Sequence, residues 1–144
     1  MRARNVSDAW KRFSLLSDLL ELYKNEETQF KEYVSYLCER NYTVILFGSR
    51  ARGDYKIYSD YDLLVIGEEM PKLPPTDAIE LHFVKKEKLE DKIREFNTIV
   101  IDAFYEGKVI CDKLNIYEDN KRKVLEKIKG LKRVKEGWVR ENQH

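Results

Sequence analysis

Apolar positions along the chain recur in two periods, and the switches between them divide it into elements. Trp10, Phe13, Leu16, Leu20 and Tyr23 fall at helical spacing behind the capping-type residues Ser7 and Asp8, which predicts a first helix ending near Lys24. Phe30, Tyr33, Val34, Leu37 and Cys38 follow the i, i+3, i+4, i+7, i+8 pattern of a second helix, with Asn41 as its stop. Both helices read as core elements. The period then changes. "YTVILFG" is too short for a helix and rich in β-branched residues, so it reads as a buried strand over 42–47. Polar "SRARGDYKIYS" interrupts, and "DYDLLVIG" is a second buried strand closed by Gly67.

The run "EEMPKLPPTD" holds every proline of the protein and can only be a loop. "AIELHFV" alternates as a third strand, with Glu80, His82 and Val84 on one face and Ile79, Leu81 and Phe83 on the other. Leu89, Ile93 and Phe96 mark a short helix. "NTIVIDAFYEG" reads as a helix stopping at Gly107, ahead of a brief strand "KVICD". A basic helix over about 118–140 is expected to close the chain, its apolar stripe formed by Val124, Ile128, Leu131, Val134 and Trp138. Strands separated by loops and flanked by helices predict an α+β domain, a small mixed sheet covered by helices, over 1–144.

The totals change this picture little. At 144 residues, 42% apolar and 37% charged, the chain is globular and long enough to bury roughly 70% of its unfolded surface. Net charge is +1 but uneven: residues 121–144 hold 9 basic and 3 acidic side chains, leaving an acidic body and a basic tail. Cys38 and Cys111 show no CxxC spacing, so neither a zinc site nor a disulfide framework is expected, and Cys38 reads as a core filler. The N-terminus lacks the apolar segment of a signal peptide, and no apolar run approaches the ~20 residues needed to cross a membrane, so the expected location is cytoplasmic.

Candidate chemistry concentrates in "FGSRARGDYKIYSDYDLLVIG", residues 47–67. Gly48 directly after a buried strand lets the backbone approach a ligand, and Ser49 can open a helical turn whose free N–H groups suit a phosphate. Arg50 and Arg52 add cationic donors, while Asp54 reads as a turn former. Ten residues separate Ser49 from Asp60, and Asp60 and Asp62 then leave the same face of the following strand. Two carboxylates so close are costly without a cation. Mg2+, held by one or two carboxylates plus substrate phosphates, is the ion that suits them.

This stretch resembles the signature of the polymerase-beta-like nucleotidyltransferases: Gly-Ser, a spacer of about ten residues, then Asp-x-Asp. Within that superfamily the chain is similar to the minimal, stand-alone nucleotidyltransferases, over about residues 28–112. The resemblance implies that Gly48 and Ser49 bind the β- and γ-phosphates of an NTP, with Arg52 as a further phosphate contact, and that Asp60 and Asp62 ligate two Mg2+ ions. It also implies a third carboxylate that helps hold the catalytic metal and takes the acceptor's proton. Glu80 matches best, with Asp102 and Asp77 as weaker candidates; His82 shares the face of Glu80 but reads as an uninvolved surface residue. The activity implied is transfer of an NMP, AMP from ATP in the first instance, to a hydroxyl. Minimal members are often paired as antitoxins with a helical HEPN-type protein, which makes a partner protein the favoured acceptor. An RNA end contacted by the basic tail, a small molecule, and a non-catalytic neutralising module are the alternatives, and the tail's apolar stripe permits a homodimer.

Overall fold

The computed structural model describes residues 4–141, and side chains over 15–141. It opens with one long helix, α1 (Arg4–Cys38), where two were expected. The segment "NEETQ" at 25–29 contains neither glycine nor proline, so nothing ends the first helix and its hydrogen bonding runs on into the second. The side chains of Ser7, Asp8, Trp10 and Phe13 lie outside the described residues.

The chain then builds a four-stranded sheet. β1 (Thr43–Phe47) leads through the one-turn helix α2 (Ser49–Arg52) and a polar loop into β2 (Tyr61–Gly67). β3 (Ile79–Lys85) follows the proline loop. The short helices α3 (Leu89–Arg94) and α4 (Thr98–Glu106) precede β4 (Lys108–Asp112). The order across the sheet is β3-β2-β1-β4, with β2 and β3 parallel and β1 antiparallel to both neighbours. A parallel pair needs a crossover. Here the proline loop supplies it, held over α1 by the Tyr33 and Tyr42 hydroxyls, which donate to the Lys72 and Glu69 carbonyls at 2.7 Å each.

Both sheet faces are covered, which explains why β1 and β2 are nearly continuous apolar runs. On one face Tyr33 and Leu37 of α1 pack on Val44, Leu63, Val65 and Ile79. On the other, Ile45, Leu64, Ile66 and Val84 pack under Ile101 and Phe104 of α4. Each such fully buried aliphatic or aromatic side chain contributes roughly 1.5–3 kcal/mol. The helix expected to stop at Gly107 does so. Asn97 caps its start, accepting a hydrogen bond from the Val100 N–H at 3.1 Å. A Cβ on Gly107 would lie 2.3 Å from the Ala103 carbonyl and 2.5 Å from Ile45, so only glycine lets α4 turn so tightly into β4.

Two expectations are corrected at the C-terminal end and in the cysteines. The basic helix does not run over 118–140: α5 (Tyr117–Lys127) ends early, and β5 (Leu131–Val134) and β6 (Gly137–Arg140) form an antiparallel hairpin. Gly130 and Gly137 both have positive φ, which ends the helix and turns the hairpin. Val124 and Ile128 are buried in the core beneath α4, with Leu131 and Trp138 packed against it. Cys38 is not a separate core filler, and the expectation of no disulfide is overturned: Cys38 and Cys111 are joined in a disulfide linking the end of α1 to β4. Among the described residues, no helix is long and apolar enough to cross a membrane.

Candidate active site

The site forms where β1 ends and β2 begins. Phe47 and Asp62 are register partners across that pair, and the chain leaves β1 through Gly48 at φ 78°. This backbone is rare for any residue with a side chain, and a Cβ there would sit 2.5 Å from the Asp62 Oδ2. The Gly-Ser pair and the Asp-x-Asp pair are thus one device, because Gly48 is the space into which the Asp62 carboxylate fits. After Gly48 the chain coils into α2, with the Gly48 carbonyl accepting from the Ala51 and Arg52 N–H groups at 3.0 Å each. Ser49, half-buried, opens that turn.

Parallel pairing of β2 with β3 sets Asp62 beside Glu80 and Leu64 beside His82. The alternation of both strands turns Asp62, Glu80 and His82 to the face covered by α4. One ligand atom from each of the three lies within 4.8 Å of the others. The His82 ring rests 5.6 Å from that of Phe47, which closes the floor. Burial pushes the Asp62 carboxyl above the usual carboxylate range. Glu80 and Asp60 push it further up, with His82 opposing them. A carboxylate unwilling to ionise alone, next to a second carboxylate and an imidazole, is a donor set that a divalent cation would relieve. Asp60 stands exposed just before β2 and outside the converging trio.

The arginines divide their work. Arg50 holds the loop after α2: its guanidinium donates to the carbonyls of Ser59 (3.1 and 3.2 Å) and Ile57 (3.2 Å) and lies over the rings of Tyr55 and Tyr61 at 4.3 and 4.2 Å. Arg52 donates to Glu106 Oε2 at 2.9 Å and to Asp54 Oδ2 at 3.2 Å. Burial disfavours its charge, but these two carboxylates more than offset that and hold it protonated. The same Glu106 oxygen accepts the Gly48 N–H at 3.3 Å. Glu106 was not singled out in the sequence; as the last residue of α4 before Gly107, it carries no local pattern that would mark it.

The remaining candidates separate. Asp102 is bound to Arg133 through both carboxylate oxygens (3.2 Å each) and to the Trp138 indole N–H (2.9 Å), so it anchors the hairpin. Asp77 stays exposed in the proline loop. Asp54 lies exposed after the α2 turn, as expected of a turn residue. His82, read from sequence as a bystander, is instead part of the cluster; its shared face with Glu80 was the usable signal.

A family model described as a nucleotidyltransferase domain matches residues 27–131, well over half the chain. The chain belongs to this family. The nucleotidyltransferase domain aligns with two curated proteins of Methanocaldococcus jannaschii, each named "Putative protein adenylyltransferase". One is 44% identical over 63 residues, 43% of this chain and 60% of the relative. The other is 48% identical over 48 residues, 31% of this chain and 48% of the relative. The chain thus spans about half the length of the curated relatives it matches. No solved structure matches it. The mixed sheet flanked by helices is the nucleotidyltransferase fold that the motif implied.

Proposed function

We propose that this nucleotidyltransferase domain transfers AMP from ATP to a hydroxyl of a partner protein in an Mg2+-dependent reaction. The observation that carries the reading is the convergence of Asp62, Glu80 and His82 beside Gly48, a donor set suited to a cation next to the glycine that leads into the α2 turn. The names of the two relatives favour an adenylyl group and a protein acceptor.

In this reading Asp62 and Glu80, joined by Asp60 from the strand mouth, hold the divalent cation, which when bound neutralises charge on the triphosphate and the attacking oxygen. Gly48 and Ser49 seat the β- and γ-phosphates. Arg52 joins them by exchanging Glu106 or Asp54 for a phosphate oxygen. The acceptor hydroxyl forms a bond to the α-phosphorus, the bridge to the β-phosphate breaks, and pyrophosphate leaves. Glu80, at the exposed edge of the trio, receives the hydroxyl proton. Most of the rate enhancement then comes from positioning and electrostatics. The favoured acceptor is a helical HEPN-type partner that the domain modifies as an antitoxin.

The test is label transfer. The protein is incubated with Mg2+, α-phosphate-labelled ATP and lysate of the source organism, beside an Asp60→Asn, Asp62→Asn double variant. The expected result is wild-type-dependent label in the protein fraction. Label in RNA or small molecules would replace the acceptor class. A folded protein giving no label above the variant with any of the four NTPs would overturn the transferase and leave a binding module.

A further inference from the structure

The stripe that seats α1 on the sheet does not stop where the sheet does. Phe13, Leu16, Leu20, Tyr23, Glu27, Phe30, Val34 and Leu37 follow one another at alternating spacings of three and four, the heptad seam of a helix built to pack along its length. The C-terminal half of the seam is used. Phe30 stacks on Tyr61 at 4.0 Å, Val34 packs against the core, and Leu37 is fully buried in it. The N-terminal half is not: Leu16 is 56% and Leu20 47% exposed, with Leu15, Leu19 and Leu22 beside them at 61, 44 and 49%. Leu20, Tyr23 and Lys24 form one wall of a cleft of about 710 Å³ whose opposite wall is Tyr55, Ile57 and Tyr61. A helical arm of some 20 residues, about 30 Å long, is marginal by itself in water, and an apolar stripe of this size marks a docking surface.

The charges on the arm say what covers it. Residues 4–12 carry Arg4, Lys11 and Arg12 against Asp8, whereas residues 18–27 carry Asp18, Glu21, Glu26 and Glu27 against Lys24. The arm is therefore basic at its start and acidic toward the sheet, complementary to itself only when two copies run in opposite directions. We infer that the α1 arm pairs antiparallel with the same arm of a second copy of the chain. The heptad then fixes the register. Leu16 lies opposite Leu20, twice by symmetry. The basic run 4–12 of one arm then lies along the acidic run 18–27 of the other. The second arm enters the cleft beside Tyr55 and Ile57, each about half exposed. The inference is independent of the transferase reading, since none of these residues belongs to the proposed site.

Sedimentation velocity on the full chain tests it. The expected species at tens of micromolar is a dimer of twice the 17.2 kDa chain mass. Leu16→Glu with Leu20→Glu should give a monomer with an unchanged far-UV spectrum, because both positions are exposed in the single chain. Arg12→Glu alone should weaken the dimer several-fold, and adding Glu26→Arg should restore it, a rescue that parallel pairing does not give. A monomeric wild type would overturn the inference, even if it captured a different protein through these leucines. So would a dimer indifferent to the leucine substitutions, or a charge swap without rescue.

Discussion

Among the described carboxylates, Asp62 is the one whose environment is at odds with its own charge. Burial first, then the proximity of Glu80 and Asp60, raises its carboxyl pKa, and only His82 works the other way. A carboxyl whose pKa is higher in the folded than in the unfolded chain is a stability cost once ionised. The cost is absent in acid, grows as pH rises from the unfolded value of roughly 3.9 through the folded one, and is fully present at neutral pH. Asp62→Asn removes the charge while keeping the shape. At neutral pH and without divalent ions the variant should therefore melt a few degrees above the wild type, while losing nearly all transfer activity. Added Mg2+ should raise the wild-type Tm and leave that of Asp62→Asn almost unmoved. Differential scanning fluorimetry at two pH values, with and without Mg2+, reads both effects. A variant less stable than wild type in the absence of metal would mean that the carboxylate is held by structural bonds and is not waiting for a cation.

At the scale of elements, what could be read in the sequence depended on whether the deciding signal was local. β1 and β2 are short β-branched runs bounded by turn residues, β3 alternates cleanly, and α4 has its cap at Asn97 and its stop at Gly107, so all four were legible. The Gly-Ser and Asp-x-Asp spacing marked the junction where Gly48 meets Asp62, and the alternation of β3 marked the face that Glu80 shares with it, whereas Asp60 stands exposed outside the trio. One error came from trusting the 3.6 period too far. Val124, Ile128, Leu131 and Val134 keep helical spacing by coincidence, although Gly130 and Gly137 punctuate the run and "LKRV" and "GWVR" each fit a short strand. The partners of the hairpin were not legible, since Asp102 lies 31 residues before Arg133 and 36 before Trp138. That same distance makes Asp102 a clean test. Asp102→Ala leaves a guanidinium and an indole N–H, both partly buried, without their acceptor, and should cost about 1–3 kcal/mol. The loss should appear as a lower urea midpoint and as a red-shifted Trp138 emission in a Trp10→Phe background. Transfer activity should persist below the melting temperature, whereas Glu80→Ala should abolish it without loss of stability. Abolished transfer in folded Asp102→Ala would return Asp102 to the list of third carboxylates.

For the whole molecule, the tie of largest consequence is the disulfide between residues 73 apart, and no spacing rule could have announced it. Cys38 looks like a stripe residue of α1 and Cys111 like part of an edge strand. They meet because α1 hands directly into β1, and β4 returns beside β1 with Cys111 in register with Val44. The bridge joins α1 on one face of the sheet to the edge strand that follows the helices of the other, so it braces the end of β1 remote from Phe47 and the site. A loop of that length closed covalently restricts the unfolded chain and contributes about 2–4 kcal/mol. Cys38→Ser with Cys111→Ser, or full reduction of the wild type, should lower Tm by roughly 5–15 °C in a domain of this size. Because the bridge lies away from Asp62 and Glu80, the Mg2+-dependent rise in Tm and the label transfer at low temperature should survive it. Thermal melts with and without reductant, paired with label transfer, separate the two roles. An unchanged Tm would show that packing alone fixes α1 against β4. A loss of the Mg2+ effect would mean that bracing the far end of the sheet is needed to keep Asp62 and Glu80 together.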